Sequence, residues 1–295
     1  MQAGTRALIR SLGCELTFDL IDTTQRHLAT GVARAPVEAL IARDLAYGPD
    51  ARHRLDIFRR DGAQNAPVLL FVHGGGFVMG DKCLPNLPFY DNIGSWAADE
   101  GWVGVTMNYR LAPDHMWPSG AQDVARAVGW LRSEIAAYGG DPARIVVMGH
   151  SAGAAHVGTY LSHPQLQHDW GPGIIGTVLV SGTYDPASSQ PNAYQLAYYG
   201  TDQKRYKDFS MVPGLITTNV PLCIAVSEYD GVDFRRQAAL LVGAFGRARG
   251  DIPRIHWLPA HNHLSSLLAI GTGDDTLGAL VSDFVRGLTG RTGTA

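Results

Sequence analysis

The sequence predicts an α/β fold: a mostly parallel central sheet flanked by helices, with a small helical cap. Three observations predict it. Apolar, β-branched runs alternate with helix-compatible stretches over most of the chain. One run, Val68–Val72, is continuously apolar, as a strand covered on both faces must be. Another, Arg144–Met148, feeds a glycine-flanked serine turn, Gly149-His150-Ser151-Ala152-Gly153, and then a helical stretch. The length of 295 residues suits one domain spanning 1–295, with cap elements at about 1–40 and 182–220.

Each element follows in order. Ala7–Leu12 and Ile21–Ala33 carry apolar residues at three- and four-residue spacing and read as helices. Pro36 opens a new segment, Val37–Ile41. Ala42–Tyr47 and His53–Arg59 alternate in polarity around Gly48-Pro49-Asp50, the pattern of a hairpin. Strands are then expected at Val68–Val72, Trp102–Met107, Arg144–Met148, Ile174–Ser181, Leu222–Val226 and Arg254–Leu258. Helices are expected at Gly120–Tyr138, Ser151–Leu161, Phe234–Arg249 and Asp274–Leu288, with a frayed tail from Gly287. The alternation breaks once, between Ser181 and Pro221. That insertion holds Tyr184, Tyr194, Tyr198 and Tyr199 and reads as a lid over a site.

Composition narrows the function. A formal net charge of −3 without basic stripes argues against nucleic acid or anionic lipid as a partner. No apolar run approaches the roughly 18 residues needed to span a bilayer, and Met1–Arg10 lacks the features of a secretory signal. Cys14, Cys83 and Cys223 are widely spaced, which fits free thiols in a reducing cytoplasm. No histidine or carboxylate spacing suggests a metal, so neither metal nor cofactor is expected. The expected partner is a small substrate; a homodimer is compatible with the sequence.

Two glycine motifs carry chemistry. Gly149-His150-Ser151-Ala152-Gly153, between a strand and a helix, is the nucleophile-elbow pattern of α/β-hydrolases. Its sharp turn lifts the Ser151 hydroxyl above the sheet and leaves the Ala152 amide at a helix start, ready to receive an anion. His73-Gly74-Gly75-Gly76-Phe77 follows the Val68–Val72 strand and can turn amides inward without side-chain clash. Acyl transfer needs such donors where negative charge develops on the carbonyl oxygen. A phosphate loop would continue with Lys and Ser or Thr, whereas Phe77 and Val78 follow here.

A serine needs a positioned base, and in this fold the order is serine, acid, histidine. His256 falls inside a strand, leaving His261 and His263 in the next loop; His263 is favoured because Leu264 and Ser265 begin a helix-like segment that could anchor it. The loop after the penultimate strand offers Glu228, Asp230 and Asp233. Asp230 lies at its apex before Gly231. Glu228 is close to the strand, and Asp233 is placed to cap the next helix. Arg110 reads as structural, and Asp81 and Lys82 as a solvated turn.

Over roughly residues 40 to 270 the chain resembles the hormone-sensitive-lipase-like branch of the α/β-hydrolases, the bacterial carboxylesterases. The resemblance rests on His73–Phe77, Asn108-Tyr109-Arg110-Leu111-Ala112-Pro113-Asp114-His115, Asp123, Gly139-Gly140-Asp141-Pro142, the elbow, Tyr198-Tyr199-Gly200 and Glu228-Tyr229-Asp230. It implies oxyanion donors at Gly75, Gly76 and Ala152, and a cap formed by the N-terminal helices with the insertion. The chain departs from it in two ways. His150 stands where that branch usually has Asp, as in arylformamidase-like and feruloyl-esterase-like groups, and the histidine loop carries Asn262 and a second histidine, with Leu264 in place of the usual aromatic. The reading is a cofactor-free serine carboxylesterase acting on short-chain or small aromatic esters through an acyl-enzyme, with Ser151, Asp230 and His263 as triad. The alternatives are an arylformamidase with the same triad and a non-catalytic receptor on the same fold. Tyr198 and Tyr199 are expected to shape the acyl pocket.

Overall fold

A computed structural model of the chain describes residues 2–32 and 39–290. The expected segment start at Pro36 and Val37 lies outside the described residues, as do residues 291–295. Among the described residues eight strands form one sheet: β1 (Leu40–Ala46), β2 (Arg54–Phe58), β3 (Ala66–Val72), β4 (Val103–Met107), β5 (Gly140–His150), β6 (Gly176–Val180), β7 (Leu222–Tyr229) and β8 (Arg254–Asn262). Their order is β1-β2-β4-β3-β5-β6-β7-β8. The first two strands form the expected hairpin and join antiparallel; from β4 onward every neighbour is parallel.

Alternate side chains divide the sheet into two buried faces. Val68, Leu70 and Val72 of β3 point to one face, where Val124 and Val128 of a helix at Ser119–Glu134 and Val157 of another at Ala152–Ser162 cover them. Leu69 and Phe71 point to the other, under Ile93 and Trp96 of a helix at Asp91–Asp99 and Val281 of one at Thr276–Thr289. In chain order the helices are α1 (Ala3–Leu12), α2 (Phe18–Ala29), α3 (Asp91–Asp99), α4 (Ser119–Glu134), α5 (Ala152–Ser162), α6 (Ala193–Tyr199), α7 (Val212–Leu215), α8 (Val232–Arg249), α9 (Ser265–Leu268) and α10 (Thr276–Thr289).

Four expectations change. Helix α3 was not foreseen; Gly94 and Ser95 weaken its propensity, and packing supplies the stability, with Gly94 seated against Phe58. The C-terminal helix stays intact through Thr289, past the expected fraying at Gly287. Lys82 is buried, not in a solvated turn, with its ammonium 2.8 Å from Asp44 and 2.9 Å from buried Asp56. Helix α8 is capped at Gly231, with Asp233 inside its first turn, where its charge suits the helix dipole. Arg110 is structural as read: its guanidinium lies 2.7 Å from buried Asp123, which also pairs with His53 at 3.0 Å.

Strand order reverses at β3. The chain winds from β3 to β4 on one side and to β5 on the other, which opens a crevice at the carboxyl ends of β3 and β5. The His73 loop leaves one of these ends and Ser151 the other.

Candidate active site

Ser151 sits between β5 and α5 with φ 54° and ψ −118°, a strained conformation for a residue with a side chain. Close backbone packing holds it there. A Cβ on Gly149 would strike the Gly153 carbonyl, and one on Gly153 would strike the carbonyls of Val72 and His73. Only glycine at both positions lets α5 lie this close to β3 and β5. The Ser151 amide donates to the Val180 carbonyl at 2.9 Å, which anchors the turn to β6.

The His73 loop arrives beside it. A Cβ built on Gly74 would come 3.1 Å from the Ser151 Cβ. Gly75 has φ 130° and Gly76 φ 59°, and the Gly75 carbonyl accepts from the Val78 and Met79 amides, which folds the loop into a tight turn. Among the described residues, the amides of Gly75, Gly76 and Ala152 donate to no protein acceptor. Tyr109 buttresses the loop from below: its ring stacks on His73 at 4.3 Å and its hydroxyl donates to the His73 carbonyl at 2.9 Å.

Asp230 and His263 lie in contact. His263 Nδ1 donates to Asp230 Oδ1 at 2.7 Å. The other Asp230 oxygen accepts from the Ser181 hydroxyl and the Ser227 amide, both at 2.7 Å. Burial alone would push the Asp230 carboxyl up, but the bonds from His263, Ser181 and Ser227 outweigh it and hold the group below the ordinary aspartate range. A carboxylate only accepts, so His263 carries its proton on Nδ1 and, when neutral, keeps the Nε2 lone pair. Phe234, at the start of α8, stacks on the His263 ring at 4.3 Å and 29°.

Strand β8 separates the two candidate histidines. It runs to Asn262, turning through Ala260 at φ 63°, so His261 lies in the strand, contrary to the loop expected there, and only His263 falls beyond its end. His261 Nδ1 meets the Ser265 hydroxyl at 3.1 Å, and burial pushes the ring down to about 4. Glu228 accepts from the Ala260 amide at 2.6 Å, holding this bend and leaving the acid position to Asp230. Asn262, which drew no role from the sequence, ties the loop at both ends. Its side chain accepts from the Leu264 and Ser265 amides at 3.1 and 2.9 Å and donates to buried Thr24 of α2 at 2.9 Å.

The insertion turns two of its tyrosines inward. Tyr198 stacks on Phe77 at 4.5 Å and 2°, Tyr199 packs edge-on to both, and both tyrosines are buried. They pack behind Phe77 of the His73 loop. Tyr194 is the exposed one beside the loop: it is 47% exposed, and a Cβ on Gly76 would come 3.1 Å from its ring. The sequence pattern carried no signal for this, since the three tyrosines differ only in helical phase. Gln237 of α8 pins the insertion by accepting from the Tyr184 and Asp185 amides at 2.9 and 2.8 Å.

Known proteins agree with this architecture. A family model described as BD-FAE matches residues 55–169. Esterase LipC of Mycobacterium tuberculosis (strain ATCC 25618 / H37Rv) is 35% identical over 152 residues, covering 48% of this chain and 37% of that protein. The chain spans well under two-thirds of the curated relatives it matches, and only 26% of Esterase LipQ from the same organism. Among solved structures, Esterase B from Lactobacillus Rhamnosis (HN001) superposes with a TM-score of 0.76 at 16% identity, covering 98% of each chain. A Pyrobaculum calidifontis esterase gives 0.72 at 18% identity, covering 98% of this chain and 99% of that one. Among the described residues, no helix is long and apolar enough to cross a membrane. The resemblance read from the motifs holds: this is a chain of the α/β-hydrolase fold, similar to the hormone-sensitive-lipase-like carboxylesterases, with the BD-FAE sequence pattern running from β2 past the elbow.

Proposed function

We propose that the chain is a serine carboxylesterase for short-chain or small aromatic esters. The observation that carries this reading is the convergence of a strained Ser151, a His263–Asp230 pair bonded at 2.7 Å, and three uncommitted amides around one crevice. In the reaction Ser151 Oγ attacks the ester carbon while His263 Nε2 takes its proton. The oxyanion is held by the amides of Gly75, Gly76 and Ala152. His263 then protonates the leaving alcohol, and Asp230 stabilises the imidazolium between steps. Water attacks the acyl-enzyme by the same route in reverse. No step needs a cofactor.

Substrate size follows from the insertion. Tyr198, Tyr199, Tyr206 and Phe209 pack on one another and on Phe77, so the space behind the oxyanion loop is filled with side chains. Acyl chains of roughly two to six carbons fit this reading, since each methylene left unburied forgoes about 0.8 kcal/mol. The whole domain, 1–295, works as one unit, with α1, α2 and the 182–220 insertion as its cap. A reducing cytoplasm suits the three free cysteines. Assembly as a homodimer is a separate proposal for light scattering to decide.

The test is a nitrophenyl ester series of increasing acyl length run beside N-formylkynurenine, with fluorophosphonate labelling of Ser151. Labelling with faster turnover of the butyrate ester than of the longer esters supports the proposal. Labelling with preference for the formamide would make the chain an arylformamidase. A wild-type protein that neither labels nor turns over any ester would leave a binding role on this fold.

A further inference from the structure

The residue before Ser151 is a buried histidine that the reaction above does not use. His150 Nε2 lies 2.8 Å from the backbone carbonyl of His263, a contact between residues 113 apart in sequence. A carbonyl oxygen can only accept, so His150 carries its proton on Nε2 and donates. The two rings lie 4.7 Å apart. Among the described residues His150 Nδ1 has no hydrogen-bond partner, and it rests against Gly74, whose built Cβ would come 3.0 Å from it. The ring is thus clamped between the oxyanion loop and the base loop, with 1% of its surface exposed.

We propose that His150 is a positioning residue that holds the backbone of His263 at a fixed height over Ser151. The inference rests on the assignment of Ser151, Asp230 and His263 given above. Asp230 fixes one end of the imidazole through Nδ1. That bond sets the ring's orientation relative to Asp230, and Asn262 ties the loop to Thr24 of α2, but neither contact refers the ring to the elbow. The bond from His150 is different, since its donor belongs to the elbow itself. It refers the base directly to the nucleophile, and proton transfer tolerates little misplacement. The chemistry also explains the residue type. A carboxylate at position 150 could accept a bond but could not donate one to a carbonyl. A neutral imidazole donates without placing a charge beside the imidazolium that forms on His263. Burial, aided by the nearby His263, pushes the His150 ring down to about 3, so it stays neutral where the reaction runs.

Two variants and one spectrum test this. His150→Leu removes the donor, whereas His150→Gln keeps an amide N–H of similar reach. On a nitrophenyl acetate substrate, His150→Leu is expected to lower kcat about tenfold or more with KM within about twofold, because the misplaced base matters in the transition state and little in binding. His150→Gln is expected to recover kcat to within about threefold of wild type. A role in packing alone would favour Leu over Gln, the opposite order. In wild-type protein labelled with 15N-histidine, His150 is expected as the Nε2–H tautomer from about pH 5 to about pH 9, assigned by its loss in His150→Gln. This spectrum decides the matter even if His150→Leu does not fold. An Nδ1–H or charged His150, or a folded His150→Leu protein with wild-type kcat, overturns the proposal while leaving the esterase reading intact. A wild-type protein that neither labels with fluorophosphonate nor hydrolyses the ester overturns the esterase reading and the positioning role together.

Discussion

The two halves of the crevice are built by different means. The nucleophile side comes from two contiguous motifs, His73–Phe77 and Gly149–Gly153, held by backbone packed against backbone. The acid–base side is assembled across the chain: Asp230 takes its bonds from Ser181, Ser227 and His263, and the base loop hangs on Thr24 through Asn262. The first half depends on the absence of side chains, the second on hydrogen bonds between distant ones. A chain can thus state its oxyanion geometry locally, while the placement of its base is a property of the whole fold.

The sharpest break comes at the nucleophile. Ser151→Ala should lower ester turnover by about 10⁴-fold or more with little change in melting temperature, since the hydroxyl is the proposed nucleophile and the turn depends on the glycines. A folded variant with near-normal turnover would remove the mechanism.

On the other half, His263→Ala should cost nearly as much, whereas His261→Ala should change turnover only a few-fold, roughly what a lost loop contact costs. Steady-state kinetics on both variants would show it. A reversal would transfer the base to His261, against the strand position and the Ser265 bond seen here.

The halves should also differ in their response to acid. The nucleophile side buries three histidines under the oxyanion loop and α5: burial pushes His73 down to about 4, and His150 and His156 to about 3. Unfolded, each binds a proton near its ordinary value of about 6.5. Below that pH the unfolded chain binds more protons than the folded one, so stability falls as pH drops toward 4, by up to about 1.4 kcal/mol per pH unit for each ring. Asp230, held below its ordinary value, gives stability that is present above about pH 4 and lost only on further acidification. Melting temperatures should therefore decline between pH 6.5 and 4, with His261 of the acid–base side adding one ring to these three, before Asp230 contributes. A flat profile over that interval would mean that these rings are not buried neutral.

Tyr194 separates recognition from chemistry. Tyr194→Ala should reduce the preference for aromatic over acetate-type esters by about tenfold, through lost ring stacking, and leave the pH profile of kcat unchanged. Tyr198→Ala should instead destabilise the protein by about 3 kcal/mol or more, as removal of a buried aromatic does. Comparing relative kcat/KM with melting temperature for the two variants distinguishes them.

The mildest change tests the long-range support of the base loop. Thr24→Val keeps the shape of α2 but removes the acceptor for Asn262, and should cost about 1 kcal/mol and a few-fold in kcat. An equal loss of activity with no loss of stability would assign Thr24 a closer role than this structure gives it.

Much of this was legible in the sequence. The alternation of buried strands with helices determined the sheet and its two covered faces, because a strand covered on both sides has to be apolar throughout. The glycine motifs determined the elbow and the oxyanion loop, because only glycine permits those backbone approaches. Chain order and loop position singled out Asp230 and His263. Other features were decided only by the tertiary structure. Whether β8 ends before or after His261 depends on Glu228 catching the Ala260 amide across two strands. Burial of Lys82 depends on carboxylates 26 and 38 residues earlier in the chain, at Asp56 and Asp44. Which tyrosine of the insertion meets the crevice depends on how α6 is rotated against Phe77. Such contacts join residues far apart in sequence. Local pattern records which residues want to be buried or turned, and it carries no information about the partner that long-range packing brings to them.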